Sequence, residues 1–390
     1  MRSIAIITST RAEYGLLRPL IRQLMKSGDL DIRVVVTGMH LSGSFGNTIS
    51  EIKADQMPID ECIEILLDGD TPNAVSKTMA IALMEFSNYF HRKRPDAVLV
   101  LGDRYEILAV CISAVNERIP VIHLCGGEVT EGAVDDAIRH SITKMSSLHF
   151  TITEEYRKRV IQLGENPHVV YNFGSLGNEN IHNLTLLSKS QLEESIQFSL
   201  KKPYSVVTFH PATRNDQSSK EQFTILQHAL IRFENMNYII TKANADAGGK
   251  QVNRMIDLFA GQNPERVYAC ESLGMVKYLS AVKYSEMVIG NSSSGIVEVP
   301  AFHIPTINIG NRQKGRIEAE SVITCEVDEI EIYQSMKKAM KKDFKMKIQK
   351  MDNPYYKKKT SVYMANVIQD FLQKDTLCIE KKFFDVEFSF

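Results

Sequence analysis

The sequence predicts an α/β protein made of two doubly wound, Rossmann-like domains that face a cleft. Three observations carry this expectation. At 390 residues the chain exceeds a typical single domain and is long enough for two substantial cores. From the amino terminus onward, short β-branched apolar runs alternate with stretches of helical periodicity, the pattern of a parallel sheet with crossover helices. The alternation pauses once, in a polar stretch near 174–183, and then restarts.

Ile4 to Thr8 reads as a strand, Leu16, Leu17, Leu20, Ile21 and Leu24 as one face of a helix, and Ile32 to Val36 as a second strand. Together they form a βαβ unit. Ala97 to Leu101 and Pro120 to Leu124 flank an apolar helix around Ile107 to Val115, and both are apolar enough to need cover on each sheet face. These elements make an amino-terminal domain, residues 1–174. Gly177, Asn178, Asn180 and Asn183 then suggest an interdomain linker. The second domain, 175–360, has strands at Tyr204 to Phe209, Tyr238 to Thr241, Met287 to Gly290 and Thr306 to Asn308, with helices at Phe223 to Phe233 and Val252 to Phe259. A final amphipathic helix, 361–374, could pack back on the first domain.

Lys plus Arg number 46 and Asp plus Glu 47, so no broad field of one sign is available for nucleic acid or an anionic membrane. The opening MRSIAIITST lacks a secretory apolar region, and no apolar stretch is long enough to span a bilayer, so a cytoplasmic protein is expected. The six cysteines are dispersed without a CxxC pair, which suggests neither a zinc knuckle nor a disulfide framework.

Doubly wound sheets bind ligands beyond the carboxyl ends of their strands, so the residues there are the candidates for chemistry. The first strand ends in Thr8-Ser-Thr-Arg11, where a phosphate would fit beside the guanidinium, although Thr10 or Ser9 could simply cap the helix. Gly102-Asp103-Arg104 ends a buried strand with two charges, readable as a mutual salt bridge or as a ligand site. Cys125-Gly-Gly-Glu128 ends the next strand, with glycines that permit close backbone approach. The following helix bears Asp135, Asp136, Arg139 and His140, and its helical spacing pairs Asp135 with Arg139 and Asp136 with His140. Asp103, Glu128 and Asp135 together offer the carboxylates that acid and base steps need.

In the second half, His210 ends a strand, and its reference pKa of about 6.5 suits proton transfer near neutrality. The sharpest local signal is Gly290-Asn-Ser292-Ser293-Ser-Gly295-Ile-Val-Glu298, a strand, a small hydroxyl-rich turn and a helix start. Backbone N–H groups there suit phosphate, and Glu298 suits ribose hydroxyls. Arg312, Lys314 and Arg316 follow the next strand on a glycine-flanked loop that could close over a diphosphate.

Taken in order, TSTRAEYG, VTGMH, LGDRYE, GGEVTEGAVDDAIRHSITK, the FHP of His210, NADAG at Asn244, GNSSSGIVEVP and NIGNRQKGR resemble the hydrolysing UDP-N-acetylglucosamine 2-epimerases, nearest to the bacterial sialic acid biosynthesis type. The resemblance spans nearly the whole chain. It implies a glycosyltransferase-B-like fold, UDP-N-acetylglucosamine and water as substrates, UDP and N-acetylmannosamine as products, no metal or other cofactor, and a homodimer or homotetramer. It places Asp103, Asp135 and His210 on active-site positions and Arg11, Ser292, Ser293 and Glu298 on nucleotide positions. His40 falls on the sugar side and Arg312 near the diphosphate, with Arg104, Asn244 and Gly295 as further substrate-binding candidates. Cys125 departs from relatives that carry a glutamate there, so either Glu128 supplies the missing carboxylate or fewer carboxylates suffice. The same departure keeps a related sugar, UDP-N,N'-diacetylbacillosamine of the legionaminic acid pathway, as the alternative. A glycosyltransferase or a non-catalytic nucleotide-sugar sensor would use the same fold without needing the carboxylates.

Overall fold

A computed structural model describes the chain except residues 68, 70, 132–133, 212–216, 244–247, 374–380 and 388–390. The first sheet comprises β1 (Arg2–Thr8), β2 (Leu30–Thr37), β3 (Ile59–Ile63), β4 (Ala97–Leu101), β5 (Val121–Leu124), β6 (Leu148–Thr151) and β7 (Val170–Asn172). Its order is β3-β2-β1-β4-β5-β6-β7, and every pairing is parallel. The register sets Ile4 opposite both Ile32 and Ala97, and it sorts side chains to the two faces by alternation. Ile4, Ile6, Val34 and Val36 join one core with Leu17, Leu20, Ile21 and Leu24. Ala5, Ile7, Val35, Val98 and Val100 join the other, with Phe86, Phe90, Ile107 and Val110. Each fully buried aliphatic side chain contributes about 1.5–3 kcal/mol relative to exposure, so continuous apolar strands are stable only with helices on both faces.

The second sheet comprises β8 (Tyr204–Thr208), β9 (Asn237–Thr241), β10 (Val267–Cys270), β11 (Met287–Gly290), β12 (Thr306–Ile309) and β13 (Val322–Cys325), again parallel, in the order β10-β9-β8-β11-β12-β13. Both sheets reverse their winding once, between β1 and β4 and between β8 and β11. Such switch points leave a crevice at the carboxyl strand ends, and the candidate motifs follow these strands.

The chain divides into two compact units: Met1–Glu128, Asp135–Asn180 and Tyr355–Phe390 form the first, and Val129–Val134 with Ile181–Pro354 form the second. The polar stretch expected as a linker is a helix, Leu176–Asn183. Its polar residues are used: buried Glu179 accepts from the Ser361 amide at 2.7 Å, and Asn180 donates to the Gly15 carbonyl at 2.9 Å. The final helix, Thr360–Leu372, buries Met364, Ala365, Ile368 and Phe371 in the same core as Leu17 and Leu20. No helix among the described residues is long and apolar enough to cross a membrane.

Candidate active site

In the first unit the carboxylates gather on a buried arginine. Arg139, on helix Asp135–Met145, is only 1% exposed; its Nε donates to Asp103 Oδ2 at 3.0 Å, its Nη2 donates to the same oxygen, and its Nη1 donates to the Glu128 carbonyl at 2.9 Å. Burial works against the Arg139 charge, but Asp103, Glu128 and Asp135 outweigh it and hold the guanidinium protonated. Asp103 from the β4 turn, Glu128 from the segment after β5 and Asp135 from the helix that ends that segment thus share one counter-charge, which offsets the repulsion of bringing them together. Asp135 acts on Arg139 as its helical spacing suggests, and Arg139 also bonds Asp136 at 3.3 Å within its helix, but its main partner is Asp103 on the β4 turn. The expected Asp136–His140 contact is present at 3.7 Å.

The glycines of the β5 turn serve packing. A Cβ on Gly127, whose φ is +81°, would lie 2.3 Å from the Tyr156 carbonyl, and one on Gly126 would press on Thr143 and His123. The close approach is therefore to the protein's own helices. Cys125 itself sits in the left-handed region at φ 65°, held by its amide to the Phe150 carbonyl at 2.8 Å. Beneath the β4 turn, buried His123 bonds the Gly102 carbonyl at 2.8 Å, and burial lowers its pKa to about 3.

At the end of β1, Thr10 caps helix Arg11–Lys26 as expected, accepting from the Glu13 amide in a capping box. Arg11 is the first helical residue, and its charge acts on both His40 and Glu51. His40 is fully buried; Nε2 meets Thr8 Oγ1 at 3.0 Å and Nδ1 meets Thr48 Oγ1 at 2.8 Å. Burial brings its pKa down to about 4, so it stays neutral and braces the turn. Arg104 pairs with Glu106, Nε to Oε1 at 2.6 Å, and leaves Asp103 to Arg139.

The second unit builds its edge mainly from amides and hydroxyls, with the Arg312 guanidinium among them. Asn291, 2% exposed, accepts from the His210 amide at 2.7 Å and donates to the His210 carbonyl at 2.8 Å, fixing the ends of β8 and β11 together. The Asn291 carbonyl in turn accepts from Arg312 Nη1 at 3.1 Å and Gln313 Nε2 at 2.8 Å. Only glycine fits at 290, where φ is +137° and a Cβ would stand 1.9 Å from the Thr208 carbonyl. Ser292 caps helix Ser293–Val297 and Ser293 is exposed. That helix has five residues and passes into a 3-10 turn, so the expected dipole is weak and hydroxyls and amides are the main donors. Gly295 faces Thr306, which donates to its carbonyl at 2.8 Å, and burial raises the Glu298 pKa. Asn244 lies outside the described residues.

Sequence reading missed the central part of Arg139 and passed over Glu13, Glu106, Asn291 and Gln313. The Thr10-to-Glu13 spacing signals a capping box and could have marked Glu13. Nothing local marks Arg139, because its partner is 36 residues away.

Residues 22–369 match the family described as UDP-N-acetylglucosamine 2-epimerase. A GDP/UDP-N,N'-diacetylbacillosamine 2-epimerase (hydrolyzing) from Campylobacter jejuni is 42% identical over 88% of this chain and 89% of its own. The polysialic acid biosynthesis protein P7 of Escherichia coli is 41% identical over 99% of this chain and 98% of its own. A solved S. aureus structure with UDP has a TM-score of 0.79 at 19% identity, covering 99% of this chain and 100% of that one, and supports the fold. On the extent of these matches, the chain belongs to the UDP-N-acetylglucosamine 2-epimerase family.

Proposed function

We propose that the protein converts UDP-N-acetylglucosamine and water to UDP and N-acetylmannosamine, the opening step of sialic acid synthesis. The observation behind this reading is the set of Asp103, Glu128 and Asp135 around Arg139 in a member of this family. The C1–O bond breaks as UDP leaves, a base takes the C2 proton to give a glycal, water adds at C1, and C2 is reprotonated from the other face. Asp103, Glu128, Asp135 and His210 are the acid and base candidates. Because the C2 proton has no adjacent carbonyl, C–O cleavage leads, and stabilising the departing diphosphate is a large part of catalysis. Arg11, Arg312, Ser292 and Ser293 are assigned to that charge and Glu298 to the ribose.

A second reading keeps the chemistry and changes the sugar to UDP-N,N'-diacetylbacillosamine, which the 42% identical relative favours. Incubation with each nucleotide-sugar in deuterium oxide, followed by NMR, tests both. Free N-acetylmannosamine with deuterium at C2 is expected. Turnover of only the diacetylated sugar would establish the second reading, and consumption only with an added acceptor would indicate glycosyl transfer.

A further inference from the structure

Two turns at the carboxyl edge of the first sheet are joined by groups to which the proposed chemistry gives no part. Ser9 is fully buried, and its hydroxyl lies 2.9 Å from Glu13 Oε2 and 2.7 Å from Glu106 Oε1. Glu106 is fully buried and Glu13 is 5% exposed. A serine hydroxyl has one proton and can donate to only one of the two carboxyls. The remaining contact is a hydrogen bond only if the other carboxyl is itself protonated. Glu13 Oε2 also accepts the Ser9 and Thr10 amides at 2.7 and 3.1 Å, and Glu106 Oε1 accepts Arg104 Nε at 2.6 Å. The second oxygens, Glu13 Oε1 and Glu106 Oε2, are buried with no hydrogen-bond partner among the described residues. Two full charges with two unmet oxygens would be costly at such a site.

We propose that Glu13 and Glu106 hold one extra proton between them at neutral pH, and that this pair, bridged by Ser9, is a positioning device joining the Arg11 turn to the Asp103-Arg104 turn. Arg104 then balances one charge rather than two, so the edge keeps its cationic character toward a diphosphate. This second part rests on the proposed UDP-sugar substrate. The charged groups acting on Glu13 are Glu106 and Arg104 of the neighbouring turn. Burial, and after it Glu106, pushes the Glu13 pKa up to about 7, while Arg104 and the Ser9 bonds pull the other way. A folded pKa above the unfolded one favours the fold at low pH. The contribution is full below about 4.5 and is lost as pH rises through about 7.

Infrared titration of the whole protein between pH 5.5 and 8.5 tests the shared proton, and calorimetry with UDP at the two ends tests the positioning. The wild type should show a carboxylic-acid carbonyl band that disappears near pH 7, and Glu13→Gln should lack it. Because the terminal phosphate of UDP itself ionises near pH 6, the two proteins are compared: from the acid to the alkaline end the wild type should lose about tenfold more UDP affinity than Glu13→Gln, the scale of one added charge near a site. Should Glu13→Gln fail to fold, Ser9→Ala substitutes: losing a donor should move the band's titration upward, and an unmoved titration would overturn the bridge. No titrating band in the wild type, or an unchanged one in Glu13→Gln, overturns the shared proton whatever the activity. The band as expected with equal pH dependence of UDP binding in both proteins overturns the positioning role. The band as expected with no UDP binding at any pH would instead reject the substrate assignment.

Discussion

The two sheets follow one winding scheme, yet their carboxyl edges are made of different materials. The first edge is ionic: Arg139 with three carboxylates, Arg104 with Glu106, and neutral His40 and His123 buried beneath. The second is mainly amide and hydroxyl, with the Arg312 guanidinium among them: Asn291 clasping His210, Gln313 and Arg312 on one carbonyl, and Ser292 at a tight turn. Ions locked on one another keep full charges in place with their fields preset, which proton transfer requires. Neutral dipoles around small residues present donors at little desolvation cost, which suits holding a charged group brought in from water.

The sharpest way to break this contrast is by substitution at each edge. Asp103→Asn and Glu128→Gln should each slow turnover about 10²–10⁴-fold with UDP affinity near wild type. Ser292→Ala and Glu298→Ala should chiefly weaken UDP. Coupled UDP release and calorimetry measure both quantities, and equal loss of UDP affinity in all four variants would erase the division of labour.

Arg139→Leu removes the counter-charge and should destabilise by about 3–5 kcal/mol in chemical denaturation, the usual effect of orphaning a buried ion partner. A loss below about 1 kcal/mol would mean that the acids tolerate one another without it.

Glycines separate the edges again. Gly102→Ala, with nothing within 4 Å of the new Cβ, should cost only the left-handed backbone, about 1–2 kcal/mol. Gly290→Ala adds a backbone collision and should cost clearly more in the same denaturation assay.

A smaller effect concerns acid. Burial lowers His40 to about 4 and His123 to about 3, so both take up a proton more readily when unfolded. Their contribution is present above about pH 6.5 and is lost as pH falls toward those values; Glu13 acts in the opposite sense. Hydrogen exchange at pH 5 and 7 should show the first unit losing more protection than the second, and His40→Gln should reduce the difference.

The smallest effect is expected at Cys125→Ser, which keeps size and the left-handed backbone and should leave turnover within a few-fold. A dead Cys125→Ser beside an active Glu128→Gln would move the acid/base role from the carboxylate to the thiol.

Legibility followed burial. The eight strands β1, β2, β4, β5, β8, β9, β11 and β12 carry mainly apolar runs because they lie inside their sheets, and they stand out in the sequence. Four of the five that do not stand out, β3, β7, β10 and β13, are sheet edges, where Asp60, Glu61 and Asn172 are tolerated. The fifth, β6, is an interior strand of four residues that includes His149. At Gly177 to Asn183, where one unit gives way to the other, the segment is helix although its asparagines look like loop, and Asn180 is satisfied by the distant Gly15 carbonyl.

The sequence by itself determined the fold class, the strand ends where the candidate residues lie, and the family motifs, because each is written in residues close along the chain. Only the tertiary structure decided that Asp103 answers to Arg139 rather than Arg104, that Gly127 serves a helix rather than a ligand, and that Ser9 bridges Glu13 to Glu106. Those pairings depend on which turns the sheet order brings side by side, and a charge takes the partner its fold places nearest, however far away that partner lies in the chain.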